Sequence, residues 1–176
     1  RILISGMGGS AIGADLLSAY IEPMCPVPLI VQRDYTPPAW ARGADTLVIG
    51  SSHSGNTEET LSAFESALAN GCTCLAITTG GKLASLAAAH GAAVWQFDHK
   101  GQPRAAVGFS FGLLLALVTR LRLIPSPAEE LADEQVPGLQ VRREEVLQGA
   151  ARFFVRDGPG GEDRRGQGEQ EHLLED

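Results

Sequence analysis

Short, β-branched apolar runs alternate with helix-length segments along the first hundred residues, and this alternation restricts the fold more than any other feature. It predicts strands at 2–5, about 28–32, 46–50, 73–78 and 93–97, and helices at about 10–20, 57–69 and 82–89. Apolar strands separated by helices are typical of a parallel sheet covered on both faces. The pattern therefore predicts an α/β fold: a doubly wound, three-layer αβα sandwich with a five-stranded parallel sheet, flavodoxin-like or Rossmann-like.

The rest of the chain changes character twice. Residues 107–124 are dense in leucine and alanine and end before two prolines, which predicts a mostly buried helix. Charged, helix-favouring residues follow, and from Gly158 onward the chain is rich in glycine and lacks periodic apolar positions. We therefore expect one folded domain at 1–124, a helical linker at 125–157 and a disordered tail at 158–176.

Composition excludes several classes of partner. Apolar residues make up 44% of the 176 residues, and no apolar run is long enough to cross a bilayer. The net charge of −7 argues against a nucleic-acid partner. Three cysteines are too few for a disulfide scaffold, which favours the cytoplasm, and Cys72 and Cys74 should share one face of a strand. We expect them to be buried rather than to bind a metal.

Two loops rich in glycine and serine each close a predicted strand and open a predicted helix. The first loop covers 6–10 and the second covers 51–57. A helix N-terminus offers unpaired N–H groups and a partial positive charge, and glycines let the backbone approach an anion. One such loop is common, whereas two in one small domain predict a single phosphate held between two strand ends.

A dinucleotide fingerprint is the alternative interpretation of the first loop. Gly6, Gly8 and Ala11 match the glycine pattern after a strand, and Asp34 follows the second strand. The second loop argues against it, because Ser51, Ser52, Ser54 and Thr57 place more hydroxyls at another strand end than a dinucleotide fold requires.

Structural roles compete with binding at several of these positions. Ser10, Ser54 and Thr57 are residues that also favour helix N-caps, although two such loops together favour phosphate binding. His53 alternates away from its neighbours, which predicts a surface or packing role. For His90 and His99 no partner is evident, so we expect structural or solvated side chains. We expect Glu58 and Glu59 to support the first turn of a helix.

With these residues in view, the chain resembles the sugar isomerase (SIS) domain family over about residues 1–150. The segment 52–60, Ser-His-Ser-Gly-Asn-Thr-Glu-Glu-Thr, is similar to the family's phosphosugar loop. The segments 6–10, 33–35 and 101–106 are similar to those of the bifunctional phosphoglucose/phosphomannose isomerases. The resemblance implies an aldose–ketose isomerase acting on hexose 6-phosphates through an enediolate, without a cofactor and as a homodimer in the complete enzyme.

The resemblance also implies residue roles. The residues it assigns to the sugar phosphate are Gly9, Ser10, Ser52, Ser54 and Thr57. Arg104 would lie near the reacting carbons as a catalytic residue, where it could stabilise the enediolate oxygen. The alternative is that Arg104 merely pairs with another group at a loop. The family carries the general base in a second SIS domain, and residues 151–176 do not match its start, so we expect this chain alone to lack the base. The alternatives are a non-catalytic SIS phosphosugar sensor and a structural domain that dimerises through 107–124.

Overall fold

The computed structural model describes residues 1–99 and 101–127, and within them Arg1–Pro125 form one compact unit. The elements in chain order are β1 (Ile2–Gly6), α1 (Gly8–Ile21), β2 (Leu29–Gln32), β3 (Leu47–Ser52), α2 (Glu58–Ala69), β4 (Thr73–Thr78), α3 (Gly81–Ala89), β5 (Ala93–Gln96), a 3₁₀ helix (Pro103–Ala106) and α4 (Val107–Arg120). The predicted strands and the helices α1, α2 and α3 are thus confirmed. The expected linker from 128 onward and the expected tail at 158–176 lie outside the described residues.

The five strands form one parallel sheet with the order β2-β1-β3-β4-β5. The chain runs outward from β1 to β2, then returns to β3 on the other side of β1 and continues outward. The direction of winding therefore changes between β1 and β3, and in open α/β sheets ligands bind beside the carboxyl ends of the strands at such a point. Both glycine loops follow these two neighbouring strands, as predicted.

Each face of the sheet is buried by a different pair of helices. Alternate residues of a strand point to opposite faces, so Ile2 and Ile4 join a cluster with residues of α1 and α4, whereas Leu3 joins a cluster with residues of α2 and α3. Val48 and Ile49 divide between the clusters in the same way. Burial on both faces is the physical reason that the strands are continuous apolar runs.

Helix α4 differs from its prediction in length and in burial. It ends at Arg120, four residues before the predicted end, and it buries one face rather than most of its surface. The Arg122 N–H donates to the Thr119 carbonyl and the Leu123 N–H donates to the Val118 carbonyl. This is a Schellman termination, with Arg122 at φ 55° in the left-handed position usually taken by glycine. No helix among the described residues is long and apolar enough to span a membrane.

Candidate functional site

The first glycine loop joins β1 directly to α1. The N–H groups of Ser10 and Ala11 donate to the Met7 carbonyl, so the N–H groups of Gly8 and Gly9 precede the first bonds of the helix. Ser10 is buried and lies inside the first turn of α1. Since Met7 is the N-cap, the alternative role of Ser10 as an N-cap residue is not met.

The two glycine loops touch. A Cβ added to Gly6 would lie 2.8 Å from the Ser51 carbonyl oxygen, a distance that real Cβ atoms essentially never show. Gly6 also pairs with Ser51 in the parallel register of β1 and β3. The absence of a side chain at Gly6 therefore allows the first loop to lie against the end of β3, so the loops that lead into α1 and α2 start from adjacent strand ends.

Hydroxyl groups shape the second loop from inside. The Ser52 hydroxyl accepts the Gly55 N–H at 3.1 Å and lies 2.9 Å from the Thr57 hydroxyl. Ser52 is 3% exposed, so its oxygen serves the loop's own structure. Ser54 is exposed, and its hydroxyl oxygen accepts the Asn56 N–H at 3.2 Å. A serine hydroxyl that accepts one bond still has a hydrogen to donate, so Ser54 presents a donor at the surface.

Thr57 is the N-cap residue of α2 by position, but its side chain makes no capping bond to a backbone N–H. The hydroxyl is directed instead to Ser52, within the loop. Glu58 and Glu59 follow in the first turn of α2, where acids interact favourably with the positive end of the helix, as predicted.

A third loop, Thr78–Gly81, supports the second one and was missed from the sequence. Thr79 donates both its N–H, at 3.1 Å, and its hydroxyl, at 2.6 Å, to the His53 carbonyl. The Leu83 N–H donates to the Gly55 carbonyl at 2.9 Å. The signal was present, because Thr-Thr-Gly-Gly follows β4 in the same way that the recognised loops follow β1 and β3.

His53 and His99 form a pair, which gives His99 a partner that the sequence did not reveal. His53 Nε2 lies 2.9 Å from His99 Nδ1, and the ring of His53 contacts Phe97 edge to face. Burial, and then the neighbouring His99, lower the pKa of His53. The predicted packing role of His53 is confirmed. His90 lies at the end of α3, where its Nδ1 is 3.0 Å from the Leu86 carbonyl.

The segment 33–35 follows β2 at the same edge of the sheet. Arg33 forms an ion pair with Asp15 of α1, and the Asp34 carboxylate accepts the Tyr35 N–H at 2.6 Å. Glu59 is the main cause of a raised pKa of the Tyr35 hydroxyl, with smaller contributions from burial, Glu58 and Asp34. Tyr35 therefore lies in a locally negative environment beside the first turn of α2.

The 3₁₀ helix that contains Arg104 packs beside α1, the helix that follows the first loop. The 3₁₀ helix leads directly into α4, and the Val107 carbonyl oxygen lies 3.2 Å from the position of a Cβ on Gly13 of α1. Gly13 is one turn beyond Ser10, so the segment before Val107 packs beside the start of α1. The side chain of Arg104 lies outside the described part of the structure.

The cysteines are structural in their environment. Cys74 is buried in β4 and Cys72 precedes the strand, and both belong to the cluster between the sheet and the helices α2 and α3. Burial, and then Cys72, raise the pKa of Cys74 to about 11. Within residues 1–99 and 101–127, no group of three or more histidine, cysteine or acidic side chains could hold a metal ion.

Comparison with known proteins identifies relatives of this chain. No protein-family model matches the chain. The chain is 48% identical over 144 residues to a bifunctional phosphoglucose/phosphomannose isomerase from Caldicellulosiruptor bescii, covering 82% of this chain and 42% of the relative. It is 36% identical over 146 residues to the protein of the same name from Aquifex aeolicus, covering 82% and 45%. The chain thus spans less than half the length of these relatives.

The fold recurs in a solved structure. Phosphoheptose isomerase from Neisseria gonorrhoeae superposes with a TM-score of 0.55 at 21% identity, covering 69% of this chain and 76% of that one. Together, the fold and the sequence relatives confirm the resemblance predicted from the two loops. The chain has the fold of the sugar isomerase (SIS) domain and is a homologue of the bifunctional phosphoglucose/phosphomannose isomerases.

Proposed function

We propose that this domain binds the phosphate group of a hexose 6-phosphate between its two glycine loops. The observation that carries the proposal is the contact between Gly6 and Ser51, because it brings two helix N-termini to adjacent strand ends. Each N-terminus offers backbone N–H groups and about half a positive charge to an anion. The residues proposed to form the phosphate site are Gly9, Ser10, Ser52, Ser54 and Thr57.

The proposed ligands differ in their roles. We infer that the Ser54 hydroxyl, which is exposed, and the N–H groups at the start of α1 donate to the phosphate. Ser52 is already bonded to Gly55 and Thr57, so we infer that it holds the loop in its binding shape. This division predicts that Ser54 contributes directly to affinity, whereas Ser52 contributes through the geometry of the loop.

We infer that the domain serves an aldose–ketose isomerase that interconverts glucose 6-phosphate or mannose 6-phosphate with fructose 6-phosphate. The sequence relatives are named bifunctional phosphoglucose/phosphomannose isomerases, which supports this inference. In such a reaction a base removes the proton at carbon 2 and the negative oxygen of the enediolate must be stabilised. Arg104 is proposed for the second role, since a guanidinium donates charge-assisted hydrogen bonds to an oxyanion. Cytoplasmic location and a homodimeric complete enzyme stay predictions.

Calorimetric titration with fructose 6-phosphate tests the phosphate site. The double variant Ser54→Ala/Thr57→Ala should bind at least about tenfold more weakly, because hydrogen bonds to a charged acceptor contribute about 1.5–3 kcal/mol each. The double variant Ser18→Ala/Thr73→Ala removes the same number of hydroxyls, from the last turn of α1 and the start of β4 at the opposite edge of the sheet, and should bind like the wild type. Equal affinity of the two double variants would refute the site.

A further inference from the structure

Four aromatic rings form a cluster beside the second glycine loop. Phe97 stacks on Phe109 with ring centroids 5.6 Å apart, and His99 lies against Phe109 at 5.1 Å. His53 contacts Phe97 at 5.9 Å and completes the cluster through its hydrogen bond to His99. We call these four residues the ring cluster.

The ring cluster joins two segments that are far apart in the sequence. His53 belongs to the second glycine loop, whereas His99 precedes the segment 101–106. A Cβ added to Gly101 would lie 2.6 Å from His99 Cε1, so the His99 ring covers the backbone at the start of that segment. The proposed phosphate loop and the segment that carries Arg104 are therefore connected through the imidazole pair.

We propose that the His53–His99 hydrogen bond positions the second glycine loop against the segment 101–106, and that both residues are positioning residues for phosphosugar binding. The inference rests on the proposed function. A hydrogen bond between two imidazoles needs one neutral ring as the acceptor, because both nitrogens of a cationic ring are donors. Binding should then require that at least one of the two rings is neutral.

The charged groups around the His53–His99 pair do not remove the need for one neutral ring. The charged side chains that the structure describes on the surrounding segments are Glu58, Lys82 and Asp98. Glu58, Lys82 and Asp98 are exposed, so water and salt screen them. The first turn of α4 and the loop Thr78–Gly81 present no acidic or basic side chain to the pair. The hydrogen bond is therefore present while at least one ring is neutral, and it weakens as the pH falls and more pairs become doubly protonated. Burial, and then His99, lower the pKa of His53, which extends the neutral form of that ring toward lower pH.

Replacement of His99 by phenylalanine separates the hydrogen bond from the packing of the ring. We expect His99→Phe to bind fructose 6-phosphate about fivefold more weakly than the wild type at pH 8, the effect of one neutral hydrogen bond. The ratio of the two affinities should fall toward one between pH 8 and pH 5, because acidification protonates the pair and weakens the bond in the wild type. The ligand's own phosphate titration, with a pKa of about 6, affects both proteins alike and cancels in the ratio. His90→Phe is the matched control and should bind like the wild type at both pH values.

A second variant provides a rescue. The amide of His53→Gln contains both a donor and an acceptor, so it can bond to His99 in either protonation state. We expect His53→Gln to bind fructose 6-phosphate as tightly as the wild type at pH 8. At pH 5 it should bind more tightly than the wild type, because protonation of His99 does not remove its hydrogen bond. A purely structural role of the ring would not produce that change in the pH profile.

Several results would overturn the inference. These are equal affinities of His99→Phe and the wild type at pH 8, or the same affinity ratio at pH 5 and pH 8. If the wild type itself fails to bind fructose 6-phosphate, the proposed function is wrong, and side-chain nitrogen NMR then tests the pair alone. An unchanged titration of His53 in His99→Phe would show that the rings are not coupled.

Discussion

Replacement of Gly55 by alanine should destabilise the domain far more than the same change at an equivalent backbone position elsewhere. Gly55 has φ +66°, and a Cβ there would lie 1.8 Å from the Gly80 carbonyl oxygen. Gly91 has the same φ of +66°, but its Cβ would meet nothing within 4 Å. The two substitutions therefore share the conformational cost and differ only in the steric clash.

The magnitude follows from these two terms. A left-handed backbone costs an L-residue about 1–2 kcal/mol, partly offset by about 0.4–1 kcal/mol from the stiffer unfolded chain. Gly91→Ala should thus cost about 1 kcal/mol. At Gly55 the added Cβ must also push the second glycine loop away from the loop at residues 78–81. This overpacking costs about 1–3 kcal/mol of stability, and loss of the hydrogen bond from the Leu83 N–H to the Gly55 carbonyl costs about 1 kcal/mol more. Gly55→Ala should therefore cost about 2–4 kcal/mol more than Gly91→Ala.

Urea denaturation measures both free energies of unfolding. With a slope of about 1–3 kcal/mol per molar urea, the midpoint of Gly55→Ala should fall about 1 M or more below that of Gly91→Ala. Equal midpoints would refute the argument, since they would mean that the contact between the second and third loops relaxes without cost.

Two further predictions concern packing and thiol reactivity. Gly13→Ala should destabilise the domain by about 1–3 kcal/mol, because its Cβ would lie 2.7 Å from the Ser110 Cβ where α1 and α4 meet. The control is Gly112→Ala in α4, whose Cβ meets nothing within 4 Å and which should be neutral or stabilising in thermal melts. Cys74, whose pKa is raised to about 11, should be alkylated by iodoacetamide at pH 8 more slowly than the less buried Cys72. Peptide mass spectrometry measures both rates, and faster labelling of Cys74 would contradict its burial.

The strands and the place of the loops were predictable because they depend on local chemistry and on one rule of topology. Residues such as Ile2, Leu3 and Ile4 are all apolar since both faces of the sheet are covered. Once the strands are parallel, loops that follow β1 and β3 must lie at the same edge. Neither step requires knowledge of a long-range contact.

The end of α4 could not be predicted, because its signal is absent from the composition. Helices commonly end on a left-handed glycine, and proline is common after the end. Here Arg122 takes the left-handed position, and both Leu123 and Val118 belong to the cluster between the sheet and the helices α1 and α4. The prolines beyond the helix correctly indicated that it ends before them, but it ends four residues earlier than they suggested.

The partnership of His53 and His99 could not be predicted either, since the residues lie 46 positions apart. Their contact depends on β5 pairing with β4 at the sheet edge and on the ring of Phe109 docking from α4. The internal role of Ser52 is a similar case. A serine that shapes a loop and a serine that binds a ligand are identical in the sequence, and only the path of the chain distinguishes them.

The charge balance of the domain determines what kind of phosphate site it can form. Residues 1–127 contain eight acidic and eight basic residues, so the domain has no excess positive charge to attract a phosphate dianion, and recognition must come from groups in direct contact. Neutral hydroxyls and N–H groups are directional, and their contribution falls steeply as the geometry deteriorates. A site built from them depends on the exact course of its loops, which is where Gly6, Gly55 and the His53–His99 pair act. A change that separates these loops should therefore weaken ligand binding even where it removes no ligand-contacting atom.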